Sequence, residues 1–143
     1  MSDALRALAD GDLAAFDGLP DGLTRAGAEA ALGPSDPPRD FGGRLAGEPR
    51  VFRHFAPTAA APAGIDVWLD GERVVAVTIE GAAPRTLPGE PEAEARRPDG
   101  TRALVHASRG LTLHVTRGGV VERVLAYRAC TPEEFLAGPL GRD

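Results

Sequence analysis

The side chains best suited to chemistry near neutral pH are three histidines, His54, His106 and His114, and the single cysteine, Cys130. A tight turn at Ser108-Arg109-Gly110 sets His106 near Thr112 on the returning strand. His114 then lies diagonally across that pair on the same face, about 7–8 Å away between Cα atoms. Two imidazoles on neighbouring strands can chelate, with His54 as a third ligand. The chain lacks HxH, HExxH and any clustered carboxylate pattern, so neither a metal site nor a cofactor is expected. Cys130 lies just before Thr131-Pro132, and without a neighbouring base or positive field it reads as a buried structural thiol. Asp66, Asp70, Glu72 and Glu80 surround one hairpin, mostly at turns or edges where solvated charge is ordinary. Ser108 belongs to no GxSxG elbow, and Gly118-Gly119 is too short for a phosphate loop.

Recognition is therefore a better reading than catalysis. Ile65-Asp66-Val67-Trp68-Leu69 alternates, so Ile65, Val67 and Leu69 face a core while Asp66 and Trp68 turn away. Leu111-Thr112-Leu113-His114-Val115 alternates in the same way. One sheet face would then display Trp68, His106, Thr112 and His114. If that face is open, a tryptophan beside imidazoles makes a natural protein contact. If a helix covers it, Trp68 is core.

The elements that must position these residues are mainly strands. Asp70-Gly71 is a hairpin turn between 65–69 and 73–79. Strands at 103–107, 111–115 and 120–127 form a three-strand meander, turned at 108–110 and at Gly118-Gly119. Val51–Phe55 is a further strand. Residues 2–16 read as one helix or two short ones, with Ser2 or Asp3 as cap and Gly11 as interruption. Thr24 caps a helix over 25–32 that Gly33-Pro34 ends. Thr131, Pro132 and Glu133-Glu134 open a C-terminal helix docked by Phe135 and Leu136. Pro91 to Ala95 has the acidic start of a brief helical turn. Residues 33–50 carry four prolines and four glycines, a long connection that is a lid, a linker or a surface loop, with Phe41 as its pin.

The chain has 143 residues and reads as one α+β domain over 1–143. The expected sheet is antiparallel, of about five to six strands, with short helices packed on one face. Seven aromatics, 18 glycines and 13 prolines describe a Val/Leu core with few large anchors and many turns. A net charge of −5 argues against a nucleic-acid partner. The densest basic run, Arg96-Arg97 with Arg102, sits beside Pro98-Asp99-Gly100 and reads as a solvated loop. No apolar run reaches the ~18 residues of a membrane span. Met1-Ser2-Asp3-Ala4 lacks signal-peptide regions, so a cytoplasmic protein is expected.

Two segments, 24–80 and 87–127, share a layout. Leu32-Gly33-Pro34 and Leu87-Pro88-Gly89 stand at similar steps, and Ala46-Gly47-Glu48-Pro49 matches Pro88-Gly89-Glu90-Pro91. Gly64 precedes one hairpin and Gly110 the other. The layout resembles the tandem α/β units of the beta-lactamase inhibitor proteins and the related small outer-membrane assembly lipoproteins. The resemblance covers roughly residues 24–127. It implies helix-plus-meander units in tandem and protein binding across the concave sheet face. This chain departs from that pattern in having no cysteine pairs, no lipobox and no helix before its second meander. The function expected is a non-enzymatic protein-binding or accessory module on an exposed sheet face. A small enzyme or ligand-binding protein with a pocket between sheet and helices is the rival, and self-association the third reading.

Overall fold

The computed structural model describes residues 3–35, 44–45 and 48–142. Ser2 and Phe41, named above as cap and pin, lie outside the described residues, as do Ala46 and Gly47.

Helix α1 (Asp3–Asp10) stops at Gly11, whose φ of 74° suits glycine, and a 3-10 turn follows at Leu13–Ala15. Helix α2 (Arg25–Leu32) starts where the Thr24 side chain accepts from the Gly27 N–H at 3.2 Å. Strands β1 (Arg44–Leu45) and β2 (Glu48–Pro49) form a separate small ribbon. The main sheet holds β3 (Val51–Phe55), β4 (Ile65–Asp70), β5 (Arg73–Glu80), β6 (Ala93–Arg96), β7 (Arg102–His106), β8 (Leu111–Val115) and β9 (Val121–Ala126). Helix α3 (Pro132–Ala137) carries a complete capping box between Thr131 and Glu134, and a 3-10 turn closes the chain at Pro139–Arg142.

The protein is thus α+β with a seven-stranded antiparallel sheet, in the order β3-β4-β5-β9-β8-β7-β6. The expectation of five to six strands was short by β6. That strand occupies the stretch expected to form a helical turn. Pairing of Ala93–Arg96 with Arg102–Val105 satisfies its backbone along a whole edge, which outweighs a local acidic start. The run Arg96-Arg97…Arg102 is likewise the end of a strand pair, and Arg102 Nη1 meets Glu94 Oε1 at 2.9 Å.

The helices do not share one face. Leu5 and Leu8 of α1, with Leu13, Phe16 and Ala28, cover the side formed by Ile65, Val67, Val77, Leu111, Leu113 and Val124. Phe135 of α3 packs on the opposite side, in a cluster with Trp68, Ala76, Val105, Leu125 and Tyr127. Leu45 of β1 belongs to this second cluster. The sheet is therefore buried on both faces.

The sheet order, apart from β6, is palindromic. Thr78 of β5 pairs with Asp66 of β4, Leu125 of β9 pairs with Thr112 of β8, and Thr78 and Leu125 are themselves directly opposite. A bulge breaks the register between Trp68 and Leu69, leaving Val75 unmatched, and another breaks it between His114 and Val115, leaving Glu122 unmatched. Both hairpins are thus bent at the same step.

Candidate functional site

The structure separates the four residues expected on one open face. Phe52 pairs with Trp68 and His54 with Asp66, so Asp66 and Trp68 do point to one side. Thr112 and His114 are on that side too, with Leu125 and Arg123 as their neighbours on β9. His106 is not. The connection between β7 and β8 is the 3-10 turn Ala107–Arg109 plus Gly110 in the left-handed region, so Val105 pairs with Thr112 and His106 with Leu111. One residue of register moves a side chain through the sheet. The face is also covered. Relative exposures on it are 5% for Trp68, 0% for Thr112 and 6% for His114, and His106 is buried on the other face at 4%.

Trp68 and Thr112 are held by specific side-chain contacts. Trp68 Nε1 donates to Thr78 Oγ1 at 2.8 Å, and its ring lies 4.7 Å from that of Phe52. Thr112 Oγ1 and Tyr127 Oη share a hydrogen bond of 2.8 Å, and Tyr127 Oη donates to the Leu111 carbonyl at 3.2 Å. His54 Nδ1 meets Asp66 Oδ1 at 2.6 Å toward the β3 end of the same face. Among the described residues no group of three or more His, Cys, Asp or Glu side chains is arranged for a metal ion.

Burial holds the His106 imidazole below its ordinary pKa of 6.5, Arg109 adds to this, and Glu92 opposes it. The unfolded imidazole therefore takes up its proton first as pH falls. Stability from the neutral ring is complete above about pH 6.5 and drains away as pH drops through and below that value. Urea unfolding at pH 7.5 and 5.5 should show a smaller loss for His106→Gln than for the wild type. Equal losses would show that His106 does not contribute to the acid sensitivity.

A well-formed concavity lies elsewhere, beside α3. It encloses about 620 Å³. Its apolar floor is Leu19, Val75, Tyr127, Phe135 and Leu140, and Asp21, Arg128 and Glu134 stand at its rim. The bulge that bends β5 leaves Val75 free of a β4 partner and makes it part of this floor. The Tyr127 and Phe135 rings stack at 4.6 Å, which makes one wall continuous. At the rim Arg128 Nη1 meets Asp21 Oδ1 at 2.7 Å, and Glu134 Oε1 accepts from the Thr131 N–H at 3.1 Å. The volume is within the usual range for a ligand pocket, about 300–1,000 Å³. No family model, curated protein or solved structure matches this chain.

Burial pushes the Cys130 thiol up, and Glu134 and Glu92 push it further, so it stays protonated at neutral pH. Burial likewise pushes the Tyr127 hydroxyl up, so it too stays protonated at neutral pH. The sequence marks Phe135 and Cys130 but not the groove. Its floor joins residue 19, a bulge at 75, and the chain from 127 to 140, and no local pattern links these. No helix among the described residues is long and apolar enough to cross a membrane.

Proposed function

We propose that this protein is a non-enzymatic binding module that receives an apolar segment of a partner protein in the groove beside α3. The observation that carries the reading is the groove itself, a cavity of about 620 Å³ with an apolar floor between a helix and the sheet. The paired charges at its rim, Asp21 with Arg128, suit a polar border around an apolar centre, the usual anatomy of a protein interface. The protonated Cys130 thiol favours contact over covalent chemistry. The exposed sheet face expected from the sequence is not part of this proposal, because Trp68 and His114 are buried.

The test is selection of peptides from a display library on the immobilised protein, followed by mapping of amide shifts. The expected shifts gather at Leu19, Val75 and residues 127–140. Leu140→Asp, at a half-buried position in the terminal turn, should weaken the selected peptides by at least about tenfold with an unchanged circular dichroism spectrum. Shifts concentrated on the sheet edges, or full-strength binding by Leu140→Asp, would end this reading.

The tandem layout belongs to the same proposal. We read the sheet as two meanders, β3-β4-β5 and β7-β8-β9, joined along β5 and β9. Three features support this. The strand order is palindromic about the Thr78–Leu125 pair, each hairpin is bulged after the fourth residue of its first strand, and Gly64 and Gly110 both enter their hairpins at positive φ. A likeness to the tandem units of the beta-lactamase inhibitor proteins would follow, although α3 comes after the second meander instead of before it. A cytoplasmic site of action is part of this reading, supported by a sequence with one cysteine and no means of forming an internal disulfide.

A further inference from the structure

Strand β6 ends the main sheet, and among the described residues no strand lies beyond it. Its backbone pattern can be worked out from the turn that follows. The Arg97 N–H donates to the Thr101 carbonyl at 2.9 Å, in register with the pairs Ala95–Ala103 and Ala93–Val105. Alternation then directs the N–H and C=O groups of Ala93 and Ala95 toward β7. Those of Glu94 and Arg96 point outward from the sheet. Both residues are exposed.

We infer that this edge is a self-complementary site for a second copy of the chain, pairing β6 antiparallel to β6 about a two-fold axis at Ala95. In that register Glu94 of each copy lies directly opposite Arg96 of the other. The outward backbone groups of these two residues meet, giving four main-chain hydrogen bonds and two Glu–Arg pairs. Sliding the register by two residues puts Glu94 against Glu94, with Glu92 against Arg96 on either side, or Arg96 against Arg96, and either shift sets a like-charged pair on the axis. The same side-chain arrangement already exists inside the chain. Glu80 and Arg123 are directly opposite on β5 and β9, with Arg123 Nε 2.6 Å from Glu80 Oε2.

The partner is a copy of this chain because the edge carries both signs at mirrored positions. Like charges at these positions would repel a second copy, which is how many edges are protected. The edge is also short. Pro91 and Pro98 flank it, Pro98 offers no N–H, and the Glu92 N–H is already bonded to the Val105 carbonyl at 2.8 Å. The contact is smaller than the roughly 1,200–2,000 Å² of a stable interface, so the dimer is concentration-dependent. The axis stands perpendicular to the sheet, so both α3 grooves open on the same side of a continuous fourteen-stranded sheet, twice the seven of one chain. The inference does not depend on what the groove binds.

Sedimentation velocity of the full chain between about 10 and 500 µM tests it, since weak edge pairing is read at high concentration. The wild type should shift from monomer to dimer across that range. Glu94→Arg alone and Arg96→Glu alone each place two like-charged pairs at the axis, and each should weaken dimerisation by at least about tenfold. An equimolar mixture of the two variants restores both opposite-charge pairs and should form a heterodimer, which a folding defect in either variant could not produce. A wild type monomeric at every concentration would overturn the inference. So would single variants that dimerise as well as the wild type, or a mixture that stays monomeric.

Discussion

Trp68→Ala is expected to destabilise the fold by about 3–5 kcal/mol, the range for emptying a large aromatic site in a core. Trp68 is 5% exposed, lies against Phe52 and opposite Ala76, and shares a buried cluster with Leu45. Its removal also strips Thr78 of its indole donor at 2.8 Å, in a residue only 1% exposed. Leaving a buried hydroxyl without its partner costs about 1–3 kcal/mol on its own. Trp68→Phe separates the two effects, because it keeps most of the volume and loses the hydrogen bond, so a cost of about 1–2 kcal/mol is expected. Urea unfolding measures both. The wild type offers an independent check, since Trp68 is the only tryptophan and its emission should be blue-shifted when folded and move to the red on unfolding. If Trp68→Ala proves as stable as the wild type, or the folded emission is that of a solvated indole, the sheet face is open after all.

That prediction takes one of the two readings the sequence leaves open for Trp68, and the reason the sequence could not choose between them is physical. Period-two alternation tells which side of the sheet a residue faces, and it did so correctly for Asp66 and Trp68, for Thr112 and His114. It does not tell what covers that side. Here Phe135 of α3 and Leu45 of β1 reach the second face from parts of the chain far from β4 in sequence. Local chemistry was readable wherever the whole signal lay within a few residues. Thr24 and Thr131 cap their helices as their types require, and Asp70-Gly71 turns the first hairpin. The error at His106 came from reading 108–110 as the whole turn. Ala107 joins the connection, and the added residue moves His106 opposite Leu111. Strand β6 was missed because its four residues have no strand composition of their own, and only β7 holds them extended. The groove was missed for the same kind of reason, since its floor depends on the bulge that frees Val75.

The second large effect is expected at Gly110, where three distant segments meet. Gly110 has a φ of 62°, in the left-handed region. A Cβ placed there would lie 2.1 Å from the Tyr127 carbonyl oxygen and 2.9 Å from the Gly18 Cα. Neither atom can swing aside as a side-chain tip would. The Tyr127 carbonyl accepts from the Leu19 N–H at 2.9 Å, and the Tyr127 N–H donates to the Gly110 carbonyl at 2.8 Å. Gly110→Ala must therefore part the segment at 18–19 from the segment at 127–129, and with them one wall of the α3 groove. Gly71→Ala is the control, because its φ is also 62° and a Cβ there meets nothing within 4 Å. The control isolates the backbone cost of a left-handed alanine, about 1 kcal/mol. Gly110→Ala should cost at least about 4 kcal/mol, in the range reserved for a named structural cause. Urea midpoints of the two variants, taken at one pH with slopes compared, decide the matter. If both alanines cost the same, the close approach of Gly110 to Tyr127 does not exist in solution, and the groove wall built on it falls as well.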